Sequence, residues 1–165
     1  MKRAAILAIA VLALCTLTLS QNKRGPSTVE ERERAVRVAE QLEANPLPSD
    51  KSDREWIFRW LVEVPDISIS VCPGAMTWEK KYKFAGDLML VQMASSAAFV
   101  IKNPGKANDS QAVSLAGFES SLRAYEKLVA TDPKARSKQM DEMLAKGTDG
   151  SLAAFMTEKI KKECK

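Results

Sequence analysis

Histidine is absent from this chain of 165 residues. That absence excludes a Ser-His-Asp or Cys-His nucleophilic site, which needs an imidazole as general base. It also excludes a Cys/His zinc site. Cysteine is scarce: Cys15, Cys72 and Cys164 are the only three, and none is paired in the Cys-x-x-Cys spacing of a redox or metal site. There is no G-x-S-x-G elbow and no glycine loop of the kind that cradles phosphate. No sign of charge dominates either. The net charge is +4, a small surplus of Lys and Arg that does not by itself indicate nucleic-acid binding.

The N-terminus is where the sequence is most explicit. Lys2 and Arg3 precede an apolar run from Ala4 to Leu19, followed by Ser20. A charged start, an apolar stretch and small residues at its end read as a secretory signal peptide, residues 1–20. Cleavage is expected after Ser20, with Thr18 and Ser20 as the small residues at the cut. Two other fates compete with this one. Leu12-Ala13-Leu14-Cys15 is a poor lipobox, because Leu14 stands where a small residue is needed. The apolar run, sixteen residues long, falls just below the ~17–25 of a spanning helix. Membrane contact is expected only if this segment is retained or Cys15 is lipidated. The expected location is outside the cytosol, periplasmic or secreted.

Cleavage leaves 145 residues, with 23 Lys and Arg against 21 Asp and Glu once Lys2 and Arg3 are gone. That is one domain with room for a core. Residues 21–26 are polar and read as a flexible leader, and residues 27–165 as a single helical domain. In an oxidising compartment Cys72 and Cys164 most simply form one disulfide. They stand 92 residues apart, so loop-closure entropy argues for about 2–4 kcal/mol of stabilisation.

Periodicity predicts an all-α fold. Ser27-Thr28-Val29-Glu30 matches a capping box and sets a helix start at Thr28, with Asn45-Pro46 as its stop. The stripe Val29, Val36, Ala39 and Leu42 is thin, so this helix is expected to pack weakly. Asp50 or Ser52 caps a second helix over 53–64. Its Trp56, Ile57, Trp60, Leu61 and Val64 share one arc, with Phe58 and Val62 opposite. Asp66 to Cys72 alternates and has no second strand to pair with, so it reads as an extended connector.

The third helix is expected from near Trp78 to Lys102. Its part from Leu88 to Ile101 carries no charge over fourteen residues, which marks a buried central helix. Asp109 or Ser110 starts a fourth, with Leu115, Phe118, Leu122, Tyr125 and Val129 as its stripe. A short fifth carries Met140, Met143 and Leu144 and stops at Gly147. A sixth carries Leu152, Phe155, Met156 and Ile160. The expected architecture is a compact bundle of five to six helices around a central buried helix, with one disulfide.

Within the fourth helix, Ala124 to Pro133 resembles the second helix of a tetratricopeptide repeat, with Tyr125 and Pro133 at the aromatic and proline positions. The preceding helix lacks that family's pattern, and no copy recurs one repeat away. Stacked repeats therefore do not organise this chain.

The candidate ligand-binding residues are Trp56, Trp60 and Asp66, where aromatic and acidic side chains meet at a helix end. If they bind a partner, Asp66→Ala is expected to weaken binding and spare the fold. Glu63 and Asp66 beside the two tryptophans also supply the paired carboxylates of a cell-wall glycoside hydrolase. The cations Lys159, Lys161, Lys162 and Lys165 suit a helix C-terminus, where they favour the dipole. The function expected first is a non-enzymatic binding or structural role in the cell envelope or periplasm, with an envelope protein or peptide as partner. The hydrolase is the alternative. No catalytic residue, metal, cofactor or nucleic acid is assigned.

Overall fold

Thr28 opens the first helix, and the register of its cap differs from the expected one. The computed structural model describes residues 24–48, 50–71 and 82–163. In it the Thr28 side chain accepts from the Glu31 N–H, and the Glu31 carboxylate accepts from the Thr28 N–H at 3.0 Å. The box is therefore Thr28 to Glu31, not Ser27 to Glu30, because Ser27 is engaged elsewhere. The helix it starts, α1, spans Val29–Ala44 and buries Ala35, Val38, Ala39 and Leu42. Alanine at two of these positions lets the backbone come close to its neighbour. The helix consequently packs along the centre of the bundle more intimately than a thin stripe implies.

Helix α2 spans Ser52–Glu63 without a side-chain cap. The nearby Asp50 instead accepts from the Ser52 N–H at 2.8 Å. Ile57 and Trp60 are buried, while Phe58 and Val62 stand outward. The segment after Pro65 has no regular structure but keeps its alternation. Ile67 is buried and Ile69 half-buried, while Ser68 and Ser70 face solvent. It runs as a connector over the bundle, as period two predicts.

Helix α3 spans Ala85–Lys102. Its expected start near Trp78 lies outside the described residues, and Lys83 and Phe84 form a turn ahead of the helix. Helix α4 spans Ser110–Thr131, with the Asp109 carboxylate as its N-cap. Helix α5, Lys138–Thr148, is capped by Ser137, and helix α6 spans Leu152–Glu163. Among the described residues the regular elements are these six helices and two short 3-10 turns, Pro104–Lys106 and Pro133–Ala135, with no strand.

Helix α3 sits at the centre. Helices α4, α1 and α2 all pack on it, and α5 and α6 close the far side of α4. Leu88, Val91, Ala94 and Ala97 are fully enclosed, as are Phe118 and Tyr125 from α4. Burying a side chain the size of Leu88 or Phe118 stabilises by roughly 1.5–3 kcal/mol.

The α3–α4 seam is unusual in its chemistry. Small and hydroxylic side chains run through it beside branched aliphatics such as Leu88, Val91 and Val113. Ser121 Oγ donates to the Leu88 carbonyl at 2.7 Å, Ser96 Oγ to the Val113 carbonyl at 3.2 Å, and the Ser95 and Ser120 hydroxyls meet at 2.6 Å. Each of these four hydroxyls therefore has a partner, as burial requires.

At the far end, the Tyr125 hydroxyl accepts from the Ser137 N–H at 2.9 Å and donates to Asp141 at 2.7 Å. The Tyr82 hydroxyl donates to the Ala135 carbonyl at 2.8 Å. Two tyrosines thus fix the turn that leads into α5. Cys72 and Cys164, with the expected signal peptide, lie outside the described residues. No helix among the described residues is long and apolar enough to cross a membrane.

Candidate functional site

The two candidate tryptophans lie one turn apart on α2. Their rings stack at 5.8 Å between centroids and 19° between planes. Trp60 is 2% exposed and belongs to the core. Its indole N–H has no hydrogen-bond partner of full geometry and lies loosely against the Glu31 carboxylate. That carboxylate is held below its ordinary pKa, chiefly by the Thr28 N–H, with Arg24 and Trp60 adding to the effect. Trp56 is half-buried. The Arg34 guanidinium lies 4.2 Å from its ring centroid and is paired in turn with Asp53 at 2.9 Å. One face of Trp56 is therefore occupied by a cation.

Asp66 lies at the start of the connector and reaches back to the beginning of α1. One of its oxygens accepts from the Ser27 N–H at 2.8 Å. The other accepts from the Ser27 hydroxyl at 2.8 Å and from Arg32 Nη2 at 2.7 Å. Arg32 Nε donates to the same Ser27 hydroxyl at 2.7 Å, closing a ring of four hydrogen bonds. Partial burial would raise the Asp66 pKa, but the donors of Ser27 and Arg32 outweigh it and lower the carboxyl to about 2. Asp66 thus stays ionised over any ordinary pH. In a hydrolase reading it is unsuited to donate a proton, and that task would fall to Glu63. Glu63 is exposed at the C-terminal end of α2.

The structure brings Trp56 and Trp60 together. It places Asp66 with Arg32 and with Ser27, which the sequence suggested only as part of a capping box. Arg32 in turn faces a second feature, an open groove of about 480 Å³ between α1 and the end of α3. Its floor is Val29, Val36 and Ile101, and Arg32, Arg37, Lys102 and Glu33 surround it. Val29, Arg32, Glu33, Val36 and Arg37 follow the spacing of one helix face. That spacing was the available signal for the groove, but without its partner Ile101 it reads as an ordinary solvated stripe.

Among the described residues no group of three or more Asp, Glu, Cys or His is placed to hold a metal ion. Compared with known proteins, the chain matches no family model, and no curated protein or solved structure matches it significantly. The described residues form a helical bundle whose α1–α3 groove is bordered by paired charges.

Proposed function

We propose that this chain is an exported helical domain that binds a partner in the envelope or periplasm without catalysing a reaction. The observation that carries this reading is how the side chains are used. Asp66 and Arg32 are engaged with Ser27 at the start of α1, and Arg34 and Asp53 with each other beside Trp56. Apolar side chains, in contrast, face outward. Val29 is 67% exposed, Phe58 55% and Val62 69%. Phe58 and Val62 sit one turn apart on the outer side of α2. Polar groups fixed by internal bonds and apolar side chains exposed to solvent suit adhesion better than chemistry.

Export through residues 1–20 and a Cys72–Cys164 disulfide belong to the same reading. Intact mass of the native protein, before and after reduction and thiol labelling, tests both. A start at Gln21 with two labels gained only on reduction supports them. A lipid adduct on Cys15 moves the partner to the membrane surface.

The binding role itself is tested by a photo-crosslinking residue placed in turn at Val29, Phe58 and Val62 in the native host. A discrete adduct from these positions, and none from Lys134 as control, supports the reading. Release of sugar fragments from purified peptidoglycan, without adducts, replaces it with the hydrolase alternative.

A further inference from the structure

A second groove, of about 370 Å³, lies where α4 meets α5 and α6. Leu122, Leu144 and Leu152 supply its carbon, and Glu119 and Glu126 stand on its α4 side. Its volume falls near the lower end of ligand sites, about 300–1,000 Å³. A space of that size takes one slender chain rather than a ring system.

The charges here do not cancel. Arg123 also lines the groove, but it donates through Nε and Nη2 to the two oxygens of Glu43, at 2.8 and 2.9 Å. That bidentate pair neutralises the guanidinium from the α1 side. Glu119 and Glu126 are exposed, and neither forms an ion pair among the described residues. Two neighbouring cations are turned elsewhere. Lys146 lies 4.7 Å from the Phe155 ring centroid, and Lys127 borders a separate cavity beside Leu47. The groove keeps two carboxylates and no uncommitted cation, so its charge selects a cationic ligand.

Spacing narrows the class further. Seven residues of helix advance about 10.5 Å, and Glu119, Leu122 and Glu126 share one face. A carboxylate therefore stands near each end of an apolar floor about two turns long. A single ammonium group answers one of them. A run of methylenes with an ammonium group at each end answers both and covers the leucines between. Access to those leucines depends on Gly147. A Cβ there would meet only Leu152 Cδ2, at the ordinary contact distance of 3.9 Å, and a longer side chain would enter the groove.

We infer that this groove binds a linear aliphatic diamine, its ammonium groups on Glu119 and Glu126 and its methylenes on Leu122 and Leu152. The site lies on α4, α5 and α6. It is independent of the partner-binding reading above, which rests on α1 and α2.

Isothermal titration calorimetry on the purified protein tests the inference with three ligands: octamethylenediamine, the shorter putrescine, and octylamine with its single ammonium group. Octamethylenediamine is expected to bind tightest. Glu119→Gln and Glu126→Gln should each weaken it about fivefold, the upper end of what a surface ion pair contributes. Gly147→Leu should abolish binding by filling the groove, and Glu33→Gln on α1 should leave it unchanged. All four substitutions fall at exposed sites, and leucine favours the helix more than glycine does, so thermal melts should be near native. Amide shifts at Gly147 and Gly150 on addition of octamethylenediamine would place the ligand in the groove. No binding, equal binding of the three ligands, or full binding by Gly147→Leu overturns the inference. So does capture of a lysine-rich peptide in place of the diamine. Crosslinks from Phe58 or Val62 are untouched by any of these failures, so the partner-binding reading stands or falls separately.

Discussion

Gly117 on α4 lies so close to Ser96 on α3 that a Cβ at position 117 would stand 2.3 Å from the Ser96 Oγ and 2.7 Å from the Gln92 carbonyl oxygen. The Ser96 hydroxyl could rotate away, but the Gln92 carbonyl is backbone and cannot. Gly117→Ala therefore forces the two helices apart. Overpacking of this kind costs roughly 1–3 kcal/mol, against a return of about 1 kcal/mol in helix propensity. Urea unfolding should show a net loss. An unchanged or raised midpoint would mean that the seam yields.

Tyr125 offers a second test, at the opposite end of α4. Tyr125→Phe keeps the ring and removes the oxygen shared by Ser137 and Asp141. Loss of a buried partner costs about 1–3 kcal/mol, and the start of α5 should exchange its amide hydrogens faster. Equal stability of the two proteins would show that the hydroxyl is dispensable.

The same hydroxyl predicts behaviour in alkali. Burial, aided by Asp141, raises the Tyr125 pKa from 10.0 to about 12. A folded pKa above the unfolded one gives stability that is whole below pH 10 and fades as the pH rises towards 12. Absorbance at the phenolate band should show one tyrosine ionising with unfolding in that interval. In Tyr125→Phe that component should vanish.

Asp66 predicts the acid limb. Its folded pKa of about 2 lies below its ordinary 3.8. A depressed carboxyl contributes stability that is complete above the unfolded pKa and lost as the pH falls from about 4 to 2. Asp66→Asn should flatten stability over that window and cost about 1 kcal/mol at neutral pH, discounted for partial exposure. Hydrogen exchange should locate the loosening at Ser27 to Glu31. A curve for the variant that parallels the native one would remove Asp66 from the acid transition.

Much of the helical pattern was legible because it is local. The stripes Ile57–Trp60, Phe118–Leu122–Tyr125 and Met140–Met143 announce their buried faces by spacing alone. Pro and Asn mark the ends of α1 and α3 equally well. What escaped was what depends on distant residues or on side chains that look polar. Ser114, Gly117, Ser120 and Ser121 are buried on α4, yet an apolarity pattern counts them as surface. Ser120 and Ser121 find their partners in the Ser95 hydroxyl and the Leu88 carbonyl of α3, which no window on α4 contains. The cap of α1 shifted by one residue because Ser27 bonds Asp66, 39 positions away. The same bond gives Asp66 a structural task that its neighbours Trp56 and Trp60 did not suggest. The Val29–Ile101 groove is invisible for the same reason: Ile101, which completes its floor, lies on another helix.

The serine-rich seam also bears on how the chain folds. Helices α3 and α4 are consecutive, joined only by residues 103–109. Closing so short a link costs little chain entropy, and the contacts it brings together are local in sequence, a condition that favours rapid folding. The hairpin of α3 and α4 is thus the natural nucleus. Helix α1 precedes its burial partner α3 in the chain and must wait for it. The contact pattern thus predicts that α1 docks only after the α3–α4 hairpin has formed.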